Sequence, residues 1–222
     1  MLGFYQMAYR ISNMPATEIT HVISQVTFPA YSKLQDNIPK LREAYLKTLQ
    51  LTAFISIPLA GGIFILAPDF TKIFLGEQWM PMVPAMQVIA LWGLSRSIAA
   101  TTGPLFNGIG KPRINTWLQL AKLILIAIFI YPLTMLWDIT GTALAVAAAA
   151  LCIDPVCVYL VAKILQCKAW DTVKTILLPA ISTMIMLFCM TILNKLTLGI
   201  TTLAIFLGCV IFGCGTYMLA IA

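Results

Sequence analysis

The sequence predicts an all-α protein: a polytopic bundle of about seven transmembrane helices. Three observations carry that expectation. Hydrophobic residues fill 60% of the 222 positions and charged residues only 10%, and the mean hydropathy is +0.93, more apolar surface than a soluble core of this size needs. Several stretches approach or exceed the roughly 20 apolar residues that carry a helix across about 30 Å of hydrocarbon. Polar/apolar alternation, the mark of a β-barrel span, is nowhere sustained. The expected spans are 4–31, 48–68, 82–107, 113–136, 139–163, 173–193 and 197–221.

The first span differs from the others because it carries a polar stripe. At about 100° per residue, Gln6, Arg10, Asn13, Thr17, Glu18, His21, Ser24 and Gln25 share one broad face. Phe4, Ala8, Ile19, Val22, Ile23 and Val26 supply an apolar side, so a spanning helix with one wet face is expected rather than a helix lying in the interface plane. Residues 33–48 read as a separate short amphipathic helix, with Asn37 as cap, Pro39 in its first turn and Leu41, Tyr45 and Leu49 on one side. Helix 2 contains Pro58 and the Gly61-Gly62 pair, which permit bending or close helix approach. The loop after it, with Asp69, Phe70, Glu77, Trp79, Pro81 and Pro84, offers an aromatic anchor for a membrane interface.

Helix 3 carries Arg96 near its middle and stops at Gly108-Ile109-Gly110-Lys111-Pro112. Trp137, Asp138 and Gly141 separate helices 4 and 5, the Ala-rich stretch 143–150 invites close packing, and Asp154-Pro155 is expected to interrupt helix 5. Helices 6 and 7 have no charge in their apolar interiors and read as peripheral. The expected organisation is therefore residues 1–168 as five helices, including the cavity-lining first, and residues 169–222 as a peripheral terminal pair.

The net charge of +6 does not indicate nucleic acid, because the basic residues sort by loop. Lys33, Lys40, Arg42 and Lys47 follow helix 1, Lys111 and Arg113 follow helix 3, and Lys163, Lys168 and Lys174 surround the connection between helices 5 and 6. Lys72 and Lys195 are the basic loop residues of the opposite side. The positive-inside rule puts the basic loops in the cytoplasm, so the chain starts outside and ends inside. Those loops also favour anionic headgroups of membrane lipids. An odd helix count, an external start and no basic stretch after Met1 suggest a piece of something longer. Cys152, Cys157, Cys167, Cys189, Cys209 and Cys214 lie in or beside helices without metal-ligand spacing and read as small apolar residues.

The stretch LGFYQMAYRISNMPATEI, followed by FPAYSKLQDN and a basic amphipathic segment, resembles the polysaccharide-export flippases. So does FLGEQWMPMVPAMQVIALWGLSRS with the following GPLFNGIGKP. Their superfamily includes multidrug/toxin exporters and lipid II flippases. The resemblance covers the first half of the chain and implies a bacterial inner-membrane carrier of about fourteen helices in two lobes, this chain supplying the C-terminal lobe. It implies a lipid-linked (undecaprenyl pyrophosphate) oligosaccharide as substrate, translocated by alternating access. Its implied partners are the N-terminal lobe, absent here, and the polysaccharide polymerase and export machinery.

Under that resemblance Arg10, Arg96 and Gln25 become substrate-binding candidates, since guanidinium stays charged and grips phosphate with two parallel hydrogen bonds. Arg10 also admits snorkelling, lying only about 9 Å along the axis from residue 4. Arg96 lies about 21 Å into its span, where a cavity or an ion pair is expected. Glu18 and His21, about one turn apart, form either a proton-carrying pair or a structural one. Asp154 is a candidate for ion coupling beside backbone freed by Pro155. Lys122 reads as snorkelling or paired with a neighbour, and Gln87, Asn107 and Gln119 suit sugar hydroxyls and interhelical bonds equally. With one His, no Gly-rich loop after a strand and no nucleophile constellation, no enzyme chemistry and no cofactor is expected. Two competing readings stay open: a cation-coupled drug/toxin exporter of the same superfamily, and a truncated fragment without transport activity.

Overall fold

The computed structural model describes residues 2–196 and 203–221. Among these residues seven α-helices follow one another: α1 (Leu2–Leu34), α2 (Ile38–Phe70), α3 (Val83–Gly108), α4 (Pro112–Asp138), α5 (Thr140–Ile164), α6 (Ala169–Leu196) and α7 (Leu203–Ile221). No strand occurs among the described residues. The stretches Ile38–Leu75, Glu77–Gly108, Pro112–Asp138, Thr140–Ile164 and Trp170–Ile192 are long and apolar enough to cross a membrane. The polar stripe keeps α1 out of that group, and the expected start of the last span, 197–202, lies outside the described residues.

Packing nevertheless puts α1 at membrane depth. Near one end Ser12 Oγ donates to Met86 O at 3.0 Å. Near the other, a Cβ at Gly108 would meet Tyr31 Cβ at 3.1 Å and Ser32 N at 3.2 Å. α1 and α3 therefore run parallel and side by side over a common height, and α3 is itself an apolar span. α2 returns antiparallel, with Gln87 Nε2 donating to Phe64 O at 2.9 Å.

Two buried clusters mark the two ends of the bundle. One gathers Ala8, Ala67, Met82, Met86, Ile89 and Ala143. The other gathers Tyr31, Leu41, Tyr45, Leu49, Leu105, Phe106, Val161 and Leu165. All the basic residues of the three basic loops lie at this second end and are exposed, so the charge asymmetry read along the sequence becomes an asymmetry of one face of the bundle.

Three expectations about helix continuity are settled. The amphipathic stretch 33–48 is not a separate helix: α2 runs unbroken from Ile38 to Phe70. Its start is as expected, with Asn37 Oδ1 accepting from Lys40 N at 3.2 Å and Leu41, Tyr45 and Leu49 buried. The buried positions continue at helical spacing through Ala53, Ile57 and Ala60, so one face serves both parts and nothing favours a break. Asp154-Pro155 does not interrupt α5 either, because the non-helical residues of this region are Trp137 and Asp138. A proline's φ is compatible with a helix, and the missing N–H removes one bond without ending it. The α4–α5 separation is where it was expected: Asp138 takes φ 47°, a value Asp tolerates, and a Cβ at Gly141 would collide with the Leu133 carbonyl.

The segment between α2 and α3 is a π-helical turn (Thr71–Leu75), Gly76 at φ 92°, and a 3-10 turn (Glu77–Met82). Trp79 packs edge-on against Phe4 of α1, ring centres 5.3 Å apart. On the far side of α2, Gly61 admits α6: a Cβ there would lie 3.0 Å from both Leu187 Cδ2 and Thr183 Cγ2. α7 is tied to the same flank by Tyr217, whose hydroxyl donates to Phe54 O at 2.8 Å. Ala143, Ala145, Ala149 and Ala150 are buried, so the alanine stretch of α5 packs closely, whereas the most apolar window of α4 contains no buried residue.

Candidate functional site

α1 positions most of the expected site residues. Gln6, Arg10, Glu18, His21 and Gln25 are all exposed, while Ala8, Ser12, Thr27 and Tyr31 on the other side are buried. The stripe thus faces away from the rest of this bundle. It is not purely polar, since Met14, Val22 and Val26 are exposed beside it. Asn13 departs from the expected pattern: it is buried at the stripe's edge, and its Oδ1 has no hydrogen-bond partner. Glu18 and His21 make no ion pair with each other. The ion pairs Glu43–Lys47 and Lys72–Glu77 lie elsewhere and are both exposed, so they count for little in stability.

Arg96 is half-buried on α3, and its guanidinium carbon lies 5.9 Å from the centre of the Trp92 ring one turn earlier. Lys122 reaches the same ring from α4, its Nζ 6.0 Å from the centre. Tyr9 of α1 adds a third side, 6.1 Å away, and Tyr5 stacks behind Tyr9 at 6.2 Å. A cation within about 6 Å of an indole face is held by the ring quadrupole, at about 0.5–2 kcal/mol depending on desolvation. Lys122 is therefore paired with a neighbour, and among the described residues that neighbour is an aromatic ring rather than a carboxylate. By the 1.5 Å rise, Trp92 and Arg96 lie about 14 and 20 Å from the start of α3, near mid-span.

Asp154 is half-buried on an α5 that runs unbroken through Pro155, so no helix break lies beside it and the backbone group freed there is the Leu151 carbonyl that Pro155 cannot serve. Gln87 is spent on the α2–α3 contact, whereas Asn107 and Gln119 are exposed. The structure thus gathers Arg10, Glu18, His21 and Gln25 on one exposed face, and builds a separate cluster of Tyr9, Trp92, Arg96 and Lys122 across three helices. Sequence reasoning missed the second grouping. The i, i+4 spacing of Trp92 and Arg96 was a readable signal; the arrival of Lys122 from another helix had none. Elsewhere, a cavity of about 360 Å³ between α2, α6 and α7 is walled by Phe54, Pro58, Leu59, Met190 and Tyr217, with almost no polar surface.

The family described as "Polysaccharide biosynthesis protein" matches residues 1–84. An uncharacterized membrane protein in the cps region of Klebsiella pneumoniae is 26% identical, over 99% of this chain and 45% of its own length. The lipopolysaccharide biosynthesis protein WzxC of Escherichia coli (strain K12) is 31% identical over 51% of this chain and 23% of its own length. The teichuronic acid biosynthesis protein TuaB of Bacillus subtilis (strain 168) is 27% identical over 66% and 29%. The chain spans less than half the length of these relatives. Among solved structures, the lipid II flippase MurJ in its inward closed conformation superposes with a TM-score of 0.73 at 20% identity, covering 98% of this chain and 46% of that one. The fold is therefore the one found in part of a larger transporter, and the resemblance to polysaccharide-export proteins read from the motifs is borne out.

Proposed function

From this kinship with polysaccharide biosynthesis proteins, we propose that the chain is the C-terminal lobe of a fourteen-helix carrier that moves a lipid-linked oligosaccharide repeat unit. The carrier works from the cytoplasmic to the external leaflet of the bacterial inner membrane. The observation that carries this reading is the exposed stripe of α1. Arg10, Glu18, His21 and Gln25 face away from the bundle on a helix packed alongside the span α3. Ionisable groups at that depth cost several kcal/mol in lipid, so a water-filled cavity closed by a second lobe is the economical surrounding. Rocking of the two lobes then alternates access to the site.

In this reading Arg10 and Arg96 hold the anionic part of the headgroup, with Gln25 on sugar hydroxyls. Glu18, His21 and Asp154 are the groups available for ion or proton coupling. Residues 1–168 form the cavity side and 169–222 the flanking pair. The lipid tail stays in the bilayer, where the apolar cavity between α2, α6 and α7 offers it matching walls. The basic end of the bundle faces the cytoplasm. The cations on Trp92 weigh against the drug-exporter reading, because a cationic drug would meet Arg96 and Lys122 where it needs carboxylates and free aromatic faces.

In the complete carrier, Arg10→Ala and Arg96→Ala should each abolish surface polysaccharide while the protein remains in the membrane at normal level. Normal surface polymer in both variants would reject the assigned roles. Transport of a fluorescent lipid-linked sugar by this chain alone in vesicles would reject the need for a second lobe.

A further inference from the structure

Building on the headgroup site just proposed, we infer that Lys122 is a third cation of that site beside Arg10 and Arg96, and that Trp92 holds Lys122 and Arg96 until a diphosphate draws both off its ring. Both cations are half-buried near mid-span, and neither has a carboxylate within ion-pair distance among the described residues. Two like charges share one ring, an arrangement that leaves their mutual repulsion uncompensated. The ring quadrupole is a weaker partner than an anion, since a charge-assisted hydrogen bond to a phosphate oxygen typically exceeds a cation–π contact.

The spacing also fits. With the two cations 5.9 and 6.0 Å from one ring centre, they stand at most 11.9 Å apart, the sum of those distances. A diphosphate a few ångströms long, with a contact of about 2.8 Å at each end, bridges such a gap after a modest side-chain movement. Arg96 supplies a fork and Lys122 a mobile point charge on a flexible stem.

An acidic competitor at a matching height is Asp154. Thr134 and Thr142 hydrogen-bond across the α4–α5 turn at 3.1 Å, and their numbers sum to 276, as do 122 and 154, so Lys122 and Asp154 stand at the same height. Lys122 nonetheless makes no ion pair with Asp154 and lies over Trp92, so it is available to a ligand.

The test uses the intact carrier that contains this chain. Inorganic pyrophosphate is titrated against tryptophan fluorescence, with sodium glucuronate as a parallel arm representing acidic sugars. A saturable pyrophosphate response is expected, absent in Trp92→Phe and shifted about 10–100-fold to weaker affinity in Lys122→Met, the range for losing one charge-assisted hydrogen bond. Lys122→Arg should restore most of it. No response in the unmodified carrier, or one unchanged in Trp92→Phe and Lys122→Met, would overturn the inference, as would a tighter response to glucuronate than to pyrophosphate. Surface polysaccharide separates the two levels. Loss in Arg96→Ala with normal polymer in Lys122→Met sinks this inference and leaves the carrier reading standing, whereas normal polymer in both Arg10→Ala and Arg96→Ala sinks the carrier reading itself.

Discussion

Gly61 and Gly62 are neighbours in α2 that differ in what surrounds them, so alanine at each isolates one interhelical contact. A Cβ at Gly61 would stand 3.0 Å from Leu187 Cδ2, 3.0 Å from Thr183 Cγ2 and 3.3 Å from Leu187 Cδ1, while one at Gly62 would meet nothing within 4 Å. Both substitutions gain the same helix propensity, about 1 kcal/mol, and that gain cancels in the comparison. What remains is overpacking at Gly61, typically about 1–3 kcal/mol. Leu187 can rotate part of the way, but Thr183 is buried and β-branched, so its methyl cannot swing aside freely. For a 222-residue chain each kcal/mol moves the melting temperature by about 2–4 °C, so Gly61→Ala should melt about 2–12 °C below Gly62→Ala. The assay is thermal unfolding in one detergent at one scan rate, because unfolding of such proteins is often irreversible. A Gly61→Ala variant as stable as Gly62→Ala would refute the close approach of α2 and α6.

The other expectations are simpler. Tyr217→Phe removes the hydroxyl that donates to Phe54 O and should lower stability by about 0.5–1.5 kcal/mol, with the α7 flank opening first in hydrogen exchange. Cys167 sits between the spans at the basic end, and burial pushes its thiol above the ordinary range, with Asp171 adding to the shift and Arg42 opposing it. A raised value means less thiolate at a given pH, so its maleimide labelling should be slow at neutral pH and keep accelerating beyond the pH at which a free thiol levels off. With an impermeant reagent that labelling should occur in inverted vesicles and not in intact cells; labelling of intact cells would reverse the topology.

The helices were legible because hydropathy and length report burial in a membrane directly; their junctions were legible only where backbone geometry forces a stop. Asp138 at positive φ and the collision at Gly141 leave no choice, whereas Pro155 and the polar stretch before residue 48 looked like breaks and are not. In the latter case the burial of Leu41, Tyr45, Leu49 and Ala53 keeps one helical phase across the boundary, and phase, not polarity, decides continuity.

The same distinction divides the site. The stripe of α1 is periodic within one helix, so sequence spacing alone reveals it. The Trp92 cluster depends on α1 and α4 both reaching α3, and no single-helix pattern encodes that. The bundle ends up with two unlike uncovered sides. α4 exposes Leu123, Ile128, Met135 and Leu136, groups hydrocarbon solvates at no cost. α1 exposes Arg10, Glu18 and His21, groups it does not. Because Tyr9 of α1 and Lys122 of α4 meet the same Trp92 ring, the two sides overlap in depth and do not suit one surrounding: hydrocarbon suits the α4 side, and water or another polar surface suits the stripe.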